Sequence, residues 1–324
     1  MTVHIVTDSA ADLTAEQVQR LGVTVVPLTV RLGDHEFTDV DGPQRSAFLR
    51  RLADGSHLPH TAAPAPGAFV EAFMGAAAAG ADAVVCITMS SELSGTIDAA
   101  RTAALVVHNA HEAHGAHNVH DAHDAHEARG VPDVHVVDSG AVSAGLGSIV
   151  GCAAAAAASG ADAVAIVALV NSLTPTVRTY AMLDTLEYLR KGGRIGGAAA
   201  ALATMLAIKP VVTLTATGID LAARPRTRRR AMEWMHNQLV CAQRDDGPLA
   251  DVRVIHTLDP DGGRANGADQ LVAMLTPAVA PLPVGVCAVG AVIASHSGPG
   301  MIGVSWRTTT PPAVQPPAGS PPVT

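Results

Sequence analysis

Aromatic side chains make up 2% of this 324-residue chain. With so few rings, a core has to be built from Ala, Val, Leu and Ile. Lysine is nearly absent, occurring at Lys191 and Lys209, so the positive charge is mostly arginine. The formal net charge is -8, which argues against a general nucleic-acid binder, because such proteins need basic surface to neutralise phosphates. The four cysteines, Cys86, Cys152, Cys241 and Cys287, lie far apart in apolar or Ala-rich stretches and form no CxxC pair. That pattern reads as reduced, buried thiols. No apolar run approaches the roughly 20 residues needed to span a bilayer. The start, MTVHIVTDSA, enters a strand directly and has no basic region followed by an apolar one. A soluble, cytoplasmic protein is expected.

What the chain does contain is 48% hydrophobic residues, with 30 Gly and 21 Pro for tight turns. Its length suffices for two modest domains. Val3–Thr7 reads as an apolar strand. Thr14 with Gln17 forms a capping-box pattern that opens a helix ending at Gly22. Val23–Val30 reads as a second strand, and Gly33-Asp34 as a hairpin turn into His35–Thr38. A helix over Ala68–Ala79, the strand Ala83–Thr88, a helix from Ser94-Gly95-Thr96 to Val107, the strand Val134–Val137 and a helix to Ala158 follow. Strands alternating with helices imply a three-layer α/β/α arrangement on a parallel sheet, with ligands beyond the carboxyl ends of the strands. Asp8-Ser9, Ser90-Ser91 and Asp138-Ser139 fall there.

The second half reads as α+β with a mixed sheet. It has strands at Thr176–Leu183, Pro210–Thr215, Ile219–Arg224, Val252–His256, Val284–Ala288 and Ile302–Trp306. Helices are expected over Asp184–Arg190 and Arg228–Ala242. The domains are placed at 1–160 and 161–307, with a disordered Pro-rich tail over 308–324. Residues 108–126 carry a His at every third position, an apparent insertion. A period of three does not keep one helix face, so low complexity is the first reading. Weak metal binding through His111, His114, His117 and His120 is the alternative.

Several motifs carry chemistry. Ser90-Ser91-Glu92-Leu93-Ser94-Gly95-Thr96 clusters hydroxyls where a strand ends and a helix begins, which suits a carboxylate or phosphate. Leu189-Arg190-Lys191-Gly192-Gly193-Arg194 is a basic, Gly-rich turn whose glycines also suit a helix C-cap. Arg224, Arg226, Arg228, Arg229 and Arg230 gather at a helix start, where cations oppose the helix dipole. His296-Ser297-Gly298-Pro299-Gly300 reads as a fixed turn after a strand.

In order and spacing these pieces closely resemble the DegV family of bacterial fatty-acid-binding proteins. The resemblance rests on VTDSAADL at 6–13, GVTVVPL at 22–28, LPHTAAPAPGAF at 58–69, SSELSGT at 90–96, VHVVDSGAVSAGLG at 134–147, LDTLEYLRKGGRI at 183–195, IKPVVTL at 208–214, RPRTRRRA at 224–231 and HSGPG at 296–300. It implies a two-domain DegV-like fold with a long-chain fatty acid between the domains. The acid's carboxylate would be held by Thr61, Ser94, Gly95 and His296, supported by Arg194. It further implies a carrier without catalysis or cofactor, which presents the acid to a separate ATP-dependent fatty acid kinase. Arg226, Arg228, Arg229 and Arg230 would be the docking surface, and membrane contact would be transient. The family usually reads Thr-Ser-Gln-Pro where this chain has Thr61-Ala62-Ala63-Pro64, so a hydroxyl and an amide are missing beside Thr61. The fold is also similar to the dihydroxyacetone-binding part of dihydroxyacetone kinases, where a His binds a small hydroxylated substrate covalently. That gives one alternative function. Metal buffering by the His tract gives another.

Overall fold

The computed structural model describes residues 1–55, 57–117, 131–199, 208–259, 263 and 267–309. The first half runs β1 (Val3–Asp8), α1 (Ala15–Leu21), β2 (Thr24–Val26), β3 (Thr29–Leu32), β4 (His35–Thr38), α2 (Pro43–Asp54), β5 (Pro59–Ala62), α3 (Pro66–Ala78), β6 (Ala83–Thr88), α4 (Thr96–His117), β7 (Asp133–Asp138), α5 (Ala144–Ala158) and α6 (Ala163–Leu173). The second runs β8 (Val177–Met182), α7 (Glu187–Lys191), β9 (Val211–Thr215), β10 (Gly218–Ala223), α8 (Arg228–Asp245), β11 (Leu249–His256), α9 (Ala268–Val279), β12 (Val284–Ala288), α10 (Ala291–Ser297) and β13 (Ile302–Thr308).

The expected parallel sheet is present, in the order β2-β1-β6-β7. Its central strand β6 is buried throughout, as both-face coverage demands of a parallel strand. Phe69 and Phe73 of α3 and Ala100, Ala103 and Val107 of α4 cover one face. Ile149 of α5 and Ile166 of α6 cover the other. The expected mixed sheet has the order β10-β9-β8-β13-β11-β12, with β11 and β12 parallel and the other pairs antiparallel. Met232, Met235, Leu239, Leu271 and Leu275 of α8 and α9 pack on one of its faces. Helix α5 contacts β8, β11 and β13 on the other, so α5 lies between the two sheets. One core cluster runs continuously from Val3 and Ile87 in the first half to Ile255 and Val292 in the second.

Several expected elements differ. Val23–Val30 is two strands. Pro27 has no N–H for a ladder bond, and after it the chain leaves the parallel sheet. β3 forms the expected hairpin with β4 across Gly33-Asp34, and the unexpected strand β5 completes a small antiparallel sheet, β4-β3-β5. α4 runs past Val107 to His117, into the His tract. The side chains of His111, His114 and His117, and His120 altogether, lie outside what is described. No group of His, Cys, Asp or Glu suited to a metal occurs among the described residues. Likewise, no helix among them is long and apolar enough to cross a membrane. His296 does not sit in a loop: it is in the last turn of α10. The boundary placed at residue 160 falls between α5 and α6. α6 packs on β6 and β7, and the second sheet begins only at β8. From residue 310 the Pro-rich tail is outside the described residues.

Candidate functional site

A narrow cavity lies in the seam between the halves. It measures about 120 Å³ as space for the centre of a water-sized sphere, where one water needs roughly 10–15 Å³. Leu28, Met89, Leu93 and Val142 form its walls on the first half, facing Ala181, Val212, Leu214, Ile219 and Ile255 on the second. Val292, Ile293 and Met301 add to the apolar lining. Three lining hydroxyls are engaged with the protein. Ser143 Oγ donates to Asp12 at 2.6 Å, Thr179 pairs with Ser305 at 3.0 Å, and Thr213 donates to the Thr179 carbonyl at 2.9 Å. Most of the wall is therefore effectively apolar.

The exception is a cluster of Thr61, Ser94, Arg194 and His296, all in the lining. Thr61 comes from β5, held in register opposite Val30 of β3. His296 comes from α10, and its Nε2 lies 3.0 Å from Thr61 Oγ1. Arg194 follows α7. Its Nε donates to the Leu93 carbonyl at 3.1 Å and its Nη1 to the Gly192 carbonyl at 2.8 Å, which places the guanidinium between the His296 side and the Ser94 side. Ser94 Oγ pairs with Thr96 Oγ1 at 2.8 Å, at the start of α4. Gly95 differs from the sequence expectation: it is exposed and outside the lining. Its carbonyl instead accepts the Asp98 and Ala99 N–H groups that open α4.

His296 is pushed down to about 4, by burial first and then by the Arg194 charge, so the ring is neutral at pH 7. Its Nδ1 makes no hydrogen bond among the described residues and faces Gly192, where a Cβ would overlap the ring. A proton on Nδ1 would be buried against carbon. We therefore assign the proton to Nε2, where it can be donated. The sequence expectation for the Gly-Gly pair is a helix cap. Gly193, at φ 71°, does serve the turn. Gly192 has an ordinary φ of -76° and is required for space.

Other expected residues serve the frame. Asp8 accepts from Ala10 N at 3.0 Å and Met89 N at 2.7 Å. Asp138 accepts from Ser91 N at 3.2 Å and Gly140 N at 2.8 Å. These Asp-Ser pairs shape the loops, and it is the next residues, Met89, Leu93, Ser94, Val142 and Ser143, that line the cavity. In the arginine group, Arg228 is tied to Asp184 and the Gly300 carbonyl, each at 2.9 Å. Arg229 and Arg230 pair with Glu233 at 2.9 and 3.2 Å, which answers the dipole objection locally. Arg226 is exposed. Ala62 and Ala63 are exposed and part of the lining. The sequence reading missed the buried acids Asp12 and Asp39. Burial raises both, Asp12 to about 7.

The model of the DegV family, described as uncharacterised proteins, matches residues 2–309. This chain belongs to the DegV family. A DegV domain-containing protein of Streptomyces coelicolor is 35% identical over 306 residues, covering 93% of this chain and 97% of that protein. Among solved structures, a fatty-acid-binding DegV protein from Thermus thermophilus is 29% identical with a TM-score of 0.77, covering 95% of this chain and 100% of its own. DegV of Bacillus subtilis, a fatty-acid-binding protein, shares the fold at a TM-score of 0.78 and 24% identity, covering 95% of this chain and 100% of its own. DegV neighbours thus bind fatty acids, on the same two-part α/β architecture.

Proposed function

We propose that this protein carries a long-chain fatty acid in the seam cavity, its alkyl chain along the apolar walls and its carboxylate among Thr61, Ser94, His296 and Arg194. The observation that carries this reading is the lining itself: apart from hydroxyls of Ser143, Thr179, Thr213 and Ser297 that are bonded within the protein, it is apolar but for one cluster of two hydroxyls, a neutral imidazole and one guanidinium. A buried carboxylate needs several donors and preferably a cation to offset its desolvation. His296 Nε2–H, the two hydroxyls and Arg194 are such a set. A small polyol would find few partners along the rest of the wall, which favours an acyl chain over a dihydroxyacetone-type substrate.

The protein then acts as a carrier in the cytoplasm, presenting its acid to a separate ATP-dependent fatty acid kinase for acyl-phosphate formation. Arg226 and its basic neighbours would face that partner. Displacement of a fluorescent fatty acid tests the head-group assignment. Ser94→Ala is expected to weaken oleate about tenfold with the fold intact, since one hydrogen bond to a charged group is lost. Unchanged affinity would remove Ser94 from the site.

A further inference from the structure

Asp12 and Asp39 have no direct part in the head-group cluster, yet both are almost fully buried, at 4% and 2% exposure, beside Arg45 at 7%. Burying two carboxylates and a guanidinium is expensive unless each is well satisfied. Their partners fall on one short stretch of the other half of the molecule. Arg45 donates to the Ala288 carbonyl at 3.2 Å. Asp12 accepts from Gly290 N and Asp39 from Ala291 N, both at 2.7 Å. The remaining carboxylate oxygens take Ser143 Oγ at 2.6 Å and Ser9 Oγ at 3.1 Å. Ala288–Ala291 is the turn that opens α10, and His296 is at the far end of that helix. Seven residues make about two turns, roughly 10 Å long, too short to flex much between its ends.

The geometry points to Asp12, Asp39 and Arg45 as positioning residues: they clamp the start of α10 and so fix His296 opposite Thr61. α10 also packs on α2, which carries Arg45, and on β3 and β5, which frame Thr61. Its two leading N–H groups have no partner within the helix and are met by carboxyl oxygens of Asp12 and Asp39, each at 2.7 Å. Gly290 makes the approach feasible. Its φ of -72° suits any residue, but a Cβ there would lie 2.6 Å from Asp39 Oδ1 and 3.0 Å from Asp12 Oδ1. The helix proper is apolar and small, Ala-Val-Ile-Ala-Ser, and supplies no polar anchor at its own start.

The clamp's functional meaning rests on the carboxylate reading above, so its test needs a readout independent of lipid. Ring nitrogen signals of His296 in the full, lipid-free chain supply one, and the release rate of bound oleate supplies the other. Gly290→Ala and Asp39→Ala are each expected to shift the His296 signals and speed oleate release about tenfold, the effect of losing one buried hydrogen bond. Asp39→Asn keeps an acceptor for Ala291 N–H and is expected to restore both. Folded Gly290→Ala protein with unchanged His296 signals and release would overturn the clamp. If Asp39→Ala does not fold, Gly290→Ala decides the matter, because it removes no polar group. Shifted His296 signals in a protein that takes up no oleate would keep the clamp and discard the fatty-acid reading.

Discussion

At the scale of single residues, the site depends as much on missing atoms as on polar ones. Gly192 gives His296 room for its ring, and that ring carries the Nε2 donor. Gly192→Ala should leave the helix end nearly undisturbed, because Gly192 has helical φ and ψ. It should nonetheless displace His296 and weaken fatty-acid binding about tenfold, with little change in the urea midpoint. A lowered midpoint at unchanged affinity would mean the glycine serves only the turn. Thr61, Ser94, Arg194 and His296 were legible in sequence because each stands in a recurring family motif, and the structure brings the four together. The reason for Gly192 was not legible, since a helix C-cap accounts for Gly-Gly equally well and the ring it admits lies 104 positions later. Nor was the exposure of Gly95, whose neighbours Ser94 and Thr96 turn inward without it.

At the scale of elements, the elements legible in the sequence are those whose signals are local. α1 starts at Thr14, whose hydroxyl accepts from Gln17 N at 3.2 Å while Gln17 Oε1 accepts from Thr14 N at 2.9 Å, and it stops at Gly22 with φ 63°. β1 and β6 are largely apolar, buried runs of the kind the interior of a parallel sheet requires, and β7 at its edge is Val-rich. Helices α6 and α9 were also absent from the expectation, but two missing elements exist only through distant partners. β5, Pro-His-Thr-Ala, has no apolar pattern and is a strand because β3 pairs with it. α10 is seven residues long, and its start is satisfied by side chains some 250 to 280 positions earlier. α2 did leave a trace, with Pro43 at its first turn, Phe48, Leu49 and Leu52 buried, and Gly55 at φ 67°. Its many arginines hid the apolar stripe.

At the scale of the whole molecule, the two sheets close over one seam, and the seam holds both the cavity and the buried acids. This gives stability a pH dependence. Asp12 rises from 3.8 to about 7 on folding, so between those values the folded chain keeps a proton that the unfolded chain releases. Its contribution is therefore present at low pH and lost as pH rises toward 7. His296 acts oppositely: with its ordinary 6.5 lowered to about 4, its contribution is present above 6.5 and lost as pH falls through 4. Asp12→Asn isolates the first effect, because an amide can accept from Gly290 N and donate to Ser143 Oγ. Urea midpoints for this variant should fall less between pH 5 and pH 8 than those of wild type. Parallel curves would assign the dependence to other groups.

Native mass spectrometry of the purified protein, with lipid extraction to identify what it carries, tests fatty-acid carriage directly. One long-chain fatty acid per 32.9 kDa chain is expected, lost on replacing His296 and Ser94 together. A wild-type chain that purifies without lipid, and takes up neither oleate nor palmitate when offered them, would contradict it.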